Sequence, residues 1–274
     1  MSYTRQKRIK LRLKKAVLIV LGLYVMIGTS LYFFQEKILF RPTTLAKDYQ
    51  YSFNHPFEEL FLKADDGSTI NALHFKAKES KGAILYFHGN AGDLSRWGTI
   101  AEYFVNLNYD VFVMDYRTYG KSTGVLSEQA LYNDAQLCYD KLKASYSENQ
   151  ITIYGRSLGT AIATKMAATN KPKQLILETP YYSIIDVAKT RFPLMPVSYV
   201  MNYELPTYKF IKNVSCPIYM FHGTEDYVVP YKSGKKLYKA SPKDQTTFIT
   251  IKNAGHNNII DFDLYHQQIK VILP

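Results

Sequence analysis

Cysteine is scarce in this chain of 274 residues, which contains only Cys138 and Cys216. The two are far apart, form no C-x-x-C pair and have no His or Cys neighbours at metal-ligand spacing. A disulfide framework and a metal site are therefore not expected, and two buried thiols are the simpler interpretation. Internal repeats and low-complexity tracts are also absent, so repeat architectures are not expected either. No feature of the sequence calls for an organic cofactor.

Acidic residues are fewer than basic ones, 23 against 34, but the imbalance is concentrated at the N-terminus. Seven of the basic residues lie within the first 15 positions, which leaves 27 against 23 in the remainder of the chain. A residual charge of this size gives no footprint for nucleic-acid binding. We therefore expect no nucleic acid among the partners.

Charged residues are missing altogether from the 19 positions 16–34. As a helix this stretch is about 28 Å long, close to the thickness of a bilayer's hydrocarbon core. We predict a basic tail over 1–15, one transmembrane anchor over 16–34 and a linker over 35–56. The alternatives are a cleaved signal peptide and a buried core helix, but the run ends in large side chains instead of a small-x-small site.

The basic tail also predicts an orientation. An excess of cations before the span places the N-terminus in the cytoplasm by the positive-inside rule. The rest of the chain is then extracytoplasmic, in a bacterial periplasm or in an ER-type lumen if the host is eukaryotic.

Residues 57–274 have the length and apolar content of one globular domain. Apolar residues over 59–76 flank Asp65-Asp66-Gly67, which predicts a hairpin. Short apolar runs then alternate with longer helical stretches, and this pattern predicts an α/β fold with a mostly parallel central sheet flanked by helices. The predicted strands are 83–87, 111–114, 151–154, 175–177, 217–221 and 248–251, and the predicted helices are 93–106, 127–146, 158–169, 231–240 and 259–272.

One stretch, 181–214, interrupts the alternation. It carries Pro193, Pro196 and Pro206 among apolar residues and contains no clear strand. We predict a small helical cap here, inserted over one edge of the sheet. Its apolar residues either roof an acyl-binding site or only pack the cap onto the domain; they are Phe192, Leu194, Met195, Val197, Tyr199, Val200 and Met201.

The segment 155–159, Gly-Arg-Ser-Leu-Gly, joins a predicted strand to an alanine-rich helix. A sharp strand-to-helix turn exposes its serine, and the glycines leave room for neighbouring backbone. The bare G-x-S-x-G pattern is common, but here it has the strand and the helix that a nucleophile elbow requires. We predict Ser157 as the nucleophile.

A serine hydroxyl is a weak nucleophile at neutral pH, so it requires a general base and a group that orients that base. Asp226 and His256 each follow a later predicted strand, in the order Ser, acid, His that this fold uses. Glu225 is the alternative acid. His222, at a strand end, is interpreted as a structural hydrogen-bonding group.

An oxyanion hole requires two backbone N–H groups, one from the residue after the nucleophile and one from the loop after an earlier strand. Leu158 supplies the first. For the second, the loop 88–92 follows the strand 83–87, and we predict Asn90, with Ala91 as the alternative.

Three motifs occur together in order: Phe-His-Gly-Asn-Ala-Gly at 87–92, Asp-Tyr-Arg-Thr-Tyr-Gly-Lys-Ser at 115–122, and the elbow at 155–159. With Gly-His-Asn at 255–257 they resemble the Bem46-like branch of the α/β-hydrolase superfamily, whose members often carry an N-terminal membrane span. The resemblance covers about residue 59 to the C-terminus. Thr118 and Thr160 stand where the family usually has glycine. Asp115, Arg117 and Tyr119 are interpreted as a structural turn without a catalytic role.

These features together predict a membrane-anchored serine hydrolase that cleaves carboxylic ester or thioester bonds through an acyl-enzyme. The expected substrate is a small-molecule or lipid-like acyl compound. The alternatives are a peptidase-like or amidase activity, and a catalytically inactive, membrane-tethered binding protein of the same fold. The presence of all three triad residue types favours an enzyme.

Overall fold

The computed structural model describes residues 3–274 and begins with one long helix, α1 (Tyr3–Leu39). Among the described residues this is the one helix long and apolar enough to cross a membrane. The helix continues five residues past the predicted span, because residues 35–39 favour helix and Gln35 is buried against the cap. It ends before Arg41, whose helical conformation is disfavoured by Pro42. The start of the predicted linker is therefore helical.

An eight-stranded sheet forms the centre of the domain, in the order β10-β9-β8-β7-β4-β6-β3-β2. The strands are β1 (Arg41–Pro42), β2 (Phe57–Lys63), β3 (Thr69–Phe75), β4 (Ala83–Phe87), β5 (Ala91–Gly92), β6 (Asp110–Met114), β7 (Ile151–Arg156), β8 (Gln174–Glu178), β9 (Ile218–Gly223) and β10 (Thr246–Ile251). In the eight-stranded sheet β3 alone runs against the others. The mostly parallel sheet and its six predicted parallel strands are confirmed.

The hairpin predicted from Asp66-Gly67 joins β2 to β3, which pair antiparallel from Phe57 opposite Phe75 to Lys63 opposite Thr69. Gly67 has a φ of 82°, in the left-handed region that glycine enters without a steric penalty. The remaining small strands, β1 and β5, pair in parallel outside the main sheet. Through β1, the chain leaving α1 is fixed directly beside the loop 88–92.

Helices cover both faces of the sheet, as predicted. They are α2 (Leu94–Val105), α3 (Glu128–Lys143), α4 (Gly159–Thr169), α5 (Ile184–Arg191), α6 (Val197–Val200), α7 (Thr207–Phe210), α8 (Tyr231–Ala240) and α9 (Asp263–Ile272). The side chain of Asp93 caps α2 by accepting a hydrogen bond from the Ser95 amide, and Ser127 caps α3. The predicted helix 259–272 is divided into a 3-10 turn and α9, because Phe262 between them has an extended backbone.

The segment 181–214 folds as a cap of short helices, α5 to α7, with no strand among its residues, as predicted. Ser183 caps α5 by accepting a hydrogen bond from the Asp186 amide. Pro196 and Pro206 directly precede α6 and α7, where a missing N–H leaves no helical hydrogen bond unmade.

Apolar side chains of the central strands alternate between two clusters, one on each face of the sheet. In β4, Leu85 and Phe87 belong to the cluster that includes residues of α3 and α4. Ile84 and Tyr86 belong to the cluster that includes residues of α2 and α9. This double burial fixes the carboxyl ends of β4 and β7, from which the loop 88–92 and the segment 155–159 extend.

Candidate active site

Ser157 lies at the turn between β7 and α4, with a φ of 50°. A non-glycine residue in this left-handed region is strained, and the strain is held by close packing on both sides. A Cβ on Gly159 would lie 2.1 Å from the Phe87 carbonyl oxygen, and one on Gly155 would lie 2.6 Å from the Ala163 Cβ. Both glycines are therefore required for the helix to approach the sheet this closely.

Ser157, His256 and Asp226 form a continuous chain of contacts. The Ser157 Oγ lies 2.9 Å from His256 Nε2, and His256 Nδ1 lies 2.8 Å from Asp226 Oδ2. The imidazole donates from Nδ1 to the carboxylate, so Nε2 is free to accept the serine proton. The structure thus brings together the three side chains that the sequence singled out.

Asp226 is fully buried and held from several sides. Its Oδ1 accepts hydrogen bonds from the amides of Val228 and Val229, at 2.9 and 2.8 Å. Burial alone would raise the pKa of this carboxyl, but hydrogen bonds from His222 and His256 outweigh it and hold the pKa well below its ordinary value. Asp226 is therefore a carboxylate whose free oxygen faces the imidazole.

The neighbouring candidates occupy other places. Glu225 is exposed to solvent, and among the described residues its side chain makes no hydrogen bond to His256. His222 is fully buried; its Nε2 donates to the Val229 carbonyl and lies 3.4 Å from Asp226 Oδ2. A Cβ on Gly234 would lie 2.2 Å from the His222 ring, so that glycine makes room for it. His222 supports the loop that carries Asp226.

Asn90 and Leu158 lie on the wall of the same cavity as Ser157. Within residues 3–274, the backbone N–H groups of these two residues donate to no other protein group. Ala91, the alternative, does not line the cavity; it belongs to β5, and its carbonyl accepts a hydrogen bond from the Trp97 indole at 2.9 Å. Two unused donors beside a serine are what an oxyanion hole requires.

The loop 88–92 is held from beneath by two tyrosines of the turn 115–122. The Tyr116 hydroxyl donates to the His88 carbonyl at 2.8 Å, and the Tyr119 hydroxyl donates to the Asn90 carbonyl at 2.7 Å. A second bond to the Asn90 carbonyl comes from the amide of Arg41, at 2.8 Å. The turn is thus structural, as interpreted from the sequence, but it acts on the loop that carries Asn90.

Sequence reasoning missed Tyr116 and the segment around Arg41 as supports of this loop. The repeated tyrosines of the 115–122 motif were a signal for the first, since buried tyrosine hydroxyls usually find a partner. No local sequence pattern indicated that the segment around Arg41 would support this loop. Arg117, in the same turn, donates two hydrogen bonds to the carboxylate of Asp134, away from Ser157.

The two threonines that replace the family's glycines have different surroundings. Thr118 has a φ of 72°, and its buried hydroxyl finds no partner within the described residues. Thr160 donates its hydroxyl to the carbonyl of Ser157 at 2.7 Å and does not line the cavity. Thr160 therefore caps the turn instead of narrowing the space beside the nucleophile, whereas Thr118 is strained.

A cavity of about 380 Å³ lies over Ser157. It is lined by Ser157, Asn90, Leu158, Val228 and Val229 of the domain, by Tyr181, Ile184, Val187, Ala188, Arg191, Phe192, Val197, Val200 and Met201 of the cap, and by Leu31, Gln35, Ile38 and Leu39 of α1. Four residues of the predicted apolar roof therefore line it. Leu194 and Tyr199, also assigned to that roof, are instead 85% and 90% exposed.

Neither a metal cluster nor a disulfide is found among residues 3–274. No three His, Cys, Asp or Glu side chains there lie close enough together to hold an ion. Cys138 and Cys216 are buried and separate, and burial raises the pKa of both thiols.

Known proteins resemble this chain in sequence and in fold. The family model described as serine aminopeptidase, S33, matches residues 78–210. Lysophosphatidylserine lipase ABHD12 of Macaca fascicularis is 31% identical over 283 residues, a match that covers 85% of this chain and 71% of the lipase. Alpha/beta hydrolase domain-containing protein 17C of Xenopus tropicalis is 29% identical over 232 residues, covering 81% of this chain and 72% of that protein. The solved structure of the Pyrococcus furiosus esterase Pf2001 superposes with a TM-score of 0.66 at 17% identity, over 85% of this chain and 98% of the esterase.

Proposed function

Since the chain belongs to the Bem46-like branch of the α/β-hydrolase superfamily, we propose that it is a membrane-anchored serine hydrolase of acyl esters or thioesters. The observation that carries the proposal is the contact chain from Ser157 through His256 to Asp226, placed at the floor of an apolar cavity. A polar, open groove at Ser157, or the loss of either contact in this series of three side chains, would not support the proposal.

The mechanism is acyl transfer to water. The Ser157 oxygen attacks the substrate carbonyl carbon while His256 Nε2 takes the hydroxyl proton, and Asp226 stabilises the resulting imidazolium. The amides of Asn90 and Leu158 hold the negative oxygen of the tetrahedral intermediate. His256 then gives its proton to the leaving alcohol or thiol, and the acyl group stays on the serine. Water repeats the sequence, releasing the acid and restoring the enzyme.

The cavity favours an acyl chain over a peptide. Among the described residues that line it there is no Asp or Glu, so nothing there would pair with a free peptide N-terminus. Its wall consists mainly of aliphatic side chains, and its volume lies in the lower part of the range of small-ligand sites. The similarity to a lysophosphatidylserine lipase supports a lipid ester as the substrate.

The anchoring proposal assigns residues 1–15 to a cytoplasmic tail, 16–34 to the membrane and the hydrolase domain to the opposite side. The seven cations before the span and the long apolar helix support it. An epitope fused to the N-terminus should be digested by protease added to the cytoplasmic face of sealed vesicles, while the domain stays protected. The reverse pattern would contradict the orientation.

The catalytic proposal is tested with the full chain in detergent, using a fluorophosphonate probe and p-nitrophenyl esters of increasing acyl length. Wild type should be labelled and active, and Ser157→Ala should lose both properties. The matched control is Ser145→Ala, which removes an exposed serine hydroxyl outside the cavity. Well-folded wild type that neither reacts with the probe nor hydrolyses any ester would favour the inactive binding protein.

A further inference from the structure

The anchor helix contacts the cap along much of its C-terminal half. Near the C-terminal end of α1, the Gln35 side chain accepts a hydrogen bond from the Asn202 amide at 2.6 Å, and Glu36 accepts one from the Tyr203 hydroxyl at 2.7 Å. About three turns closer to the N-terminus, the Tyr24 hydroxyl donates to the carbonyl of Leu194 at 3.1 Å. The cap therefore extends alongside α1 towards its middle, instead of stopping where the predicted span ends.

The position of Tyr24 sets the depth of this contact. It is ten residues before Phe34, the last residue of the charge-free stretch, which corresponds to about 15 Å along a helix. The hydrocarbon core of a bilayer is about 30 Å thick, so Tyr24 lies near its middle when 16–34 span it. Its partner Leu194 must then lie below the membrane surface as well.

The tip of the cap, 192–201, has the composition that such a position requires. It contains no charged residue, and two of its large apolar side chains, Leu194 and Tyr199, are exposed. Unpaired backbone groups are costly in hydrocarbon. Pro193 and Pro196 remove two N–H donors, and the Tyr24 hydroxyl satisfies the Leu194 carbonyl. If this tip lay on a surface in water, the large apolar side chains of Leu194 and Tyr199 would be left in contact with solvent instead of with apolar groups.

The cavity over Ser157 continues into the same region. Along α1 its wall runs from Leu39 to Leu31, and Leu31 belongs to the charge-free stretch. Val200 and Met201 of the cap tip form the opposite wall. The cavity thus extends from Ser157 to the depth at which the acyl chains of the membrane lie.

We infer that the cap tip, 192–201, is inserted into the membrane leaflet through which α1 emerges, and that acyl chains reach Ser157 from within that leaflet. The passage lies between α1 and the cap. The first half of this inference concerns a membrane-docking surface and is independent of catalysis; the second half rests on the proposed hydrolase function. The substrate is then a lipid resident in the bilayer, which need not pass through water.

Insertion is tested by fluorescence quenching of the full chain in vesicles that contain phosphatidylcholine brominated on its acyl chains. The chain has a single native tryptophan, Trp97, which is 3% exposed and gives a constant background. Leu194→Trp and Tyr199→Trp should add fluorescence that the bromines quench. Val125→Trp and Val271→Trp, at positions 82% and 74% exposed, are the controls and should add fluorescence that is not quenched.

Two outcomes overturn the insertion. One is that Leu194→Trp and Tyr199→Trp are quenched no more than the two controls. The other is that their fluorescence responds to protein concentration and not to bromine, which would assign the tip to contact with a second copy of the chain.

Access is tested by comparing two esters in the Leu194→Asp variant, with Val125→Asp as its control. An aspartate is strongly disfavoured in hydrocarbon, so hydrolysis of a fluorescent lysophospholipid ester held in vesicles should fall roughly tenfold. Hydrolysis of soluble p-nitrophenyl acetate should stay within about twofold, because Leu194 does not line the cavity. Equal effects on both esters, or none on either, would overturn the access route. Failure of the wild type on both esters would instead contradict the proposed function and leave the quenching result standing.

Discussion

Tyr119→Phe isolates the support of the loop that carries Asn90. The substitution removes the hydroxyl that donates to the Asn90 carbonyl at 2.7 Å and keeps the aromatic ring, which is fully buried. The carbonyl retains its second partner, the amide of Arg41 at 2.8 Å. The loop should therefore remain folded while the orientation of the Asn90 N–H becomes less well defined.

The size of the effect follows from what each bond contributes. Removal of one oxyanion-hole donor lowers kcat by about 100- to 1,000-fold, which corresponds to roughly 3 to 4 kcal/mol. In Tyr119→Phe the donor, the Asn90 N–H, is still present, but the Asn90 residue loses one of the two hydrogen bonds to its carbonyl. The net contribution of one such hydrogen bond is about 1 kcal/mol. We expect kcat to fall by about fivefold. KM should change little, because Tyr119 does not line the cavity.

The assay is steady-state hydrolysis of p-nitrophenyl butyrate by the full chain, with the unfolding midpoint measured in parallel. The control is Tyr139→Phe, which removes a hydroxyl that donates to Glu148 at 2.9 Å from an equally buried ring outside the cavity. It should lower stability to a similar extent and leave kcat unchanged. An unchanged kcat in Tyr119→Phe, or a loss that appears only in KM, would refute a role in orienting Asn90.

Three further predictions concern other parts of the molecule. Asp226→Asn should lower kcat for p-nitrophenyl butyrate by about three to four orders of magnitude with little change in KM, since an amide cannot hold the imidazole in the required tautomer; a loss of less than tenfold would contradict this. Thr118→Gly should raise the free energy of unfolding by about 1 kcal/mol in denaturant titrations, because a φ of 72° strains a branched side chain; a destabilised variant would show that the turn is not strained. Burial, reinforced by the charge of Lys76, lowers the pKa of His74 from 6.5 to about 4. Between pH 6.5 and 4 the unfolded chain therefore binds a proton on His74 that the folded chain does not bind. The free energy of unfolding should fall as the pH decreases through this range. His74→Phe should flatten this part of the plot of melting temperature against pH.

The sequence alone was sufficient for the features that local chemistry controls. Ser157 was singled out as the candidate nucleophile because its turn needs Gly155 and Gly159, and the structure brings neighbouring atoms within 2.6 Å of the Cβ position at both. The buried strands were found because each is a short apolar run followed by a polar or glycine-bearing loop. The chain order Ser, acid, His limited the candidate base to a residue after the last strand, and His256 lies there.

The choice between Asp226 and Glu225 was open in the sequence, because the two are adjacent and have the same charge. In the folded loop Asp226 is buried and Glu225 is exposed to solvent. Val228 and Val229 turn back so that their amides bind Asp226, and His222 packs beside it. Only the closed loop decides which carboxylate faces the imidazole.

The part played by α1 was decided by tertiary structure alone. In the sequence, residues 35–56 are a stretch between an apolar segment and a domain, with no pattern that connects them to Ser157. In the folded chain, Gln35 binds the backbone of Asn202, 167 positions away, and Arg41 binds the loop of Asn90. Periodicity and motifs report contacts between near neighbours in the chain, whereas these contacts exist only after the sheet has brought distant segments together. The sequence therefore determined the fold and the candidate nucleophile, and the packing of α1 on the cap determined the walls of the cavity above it.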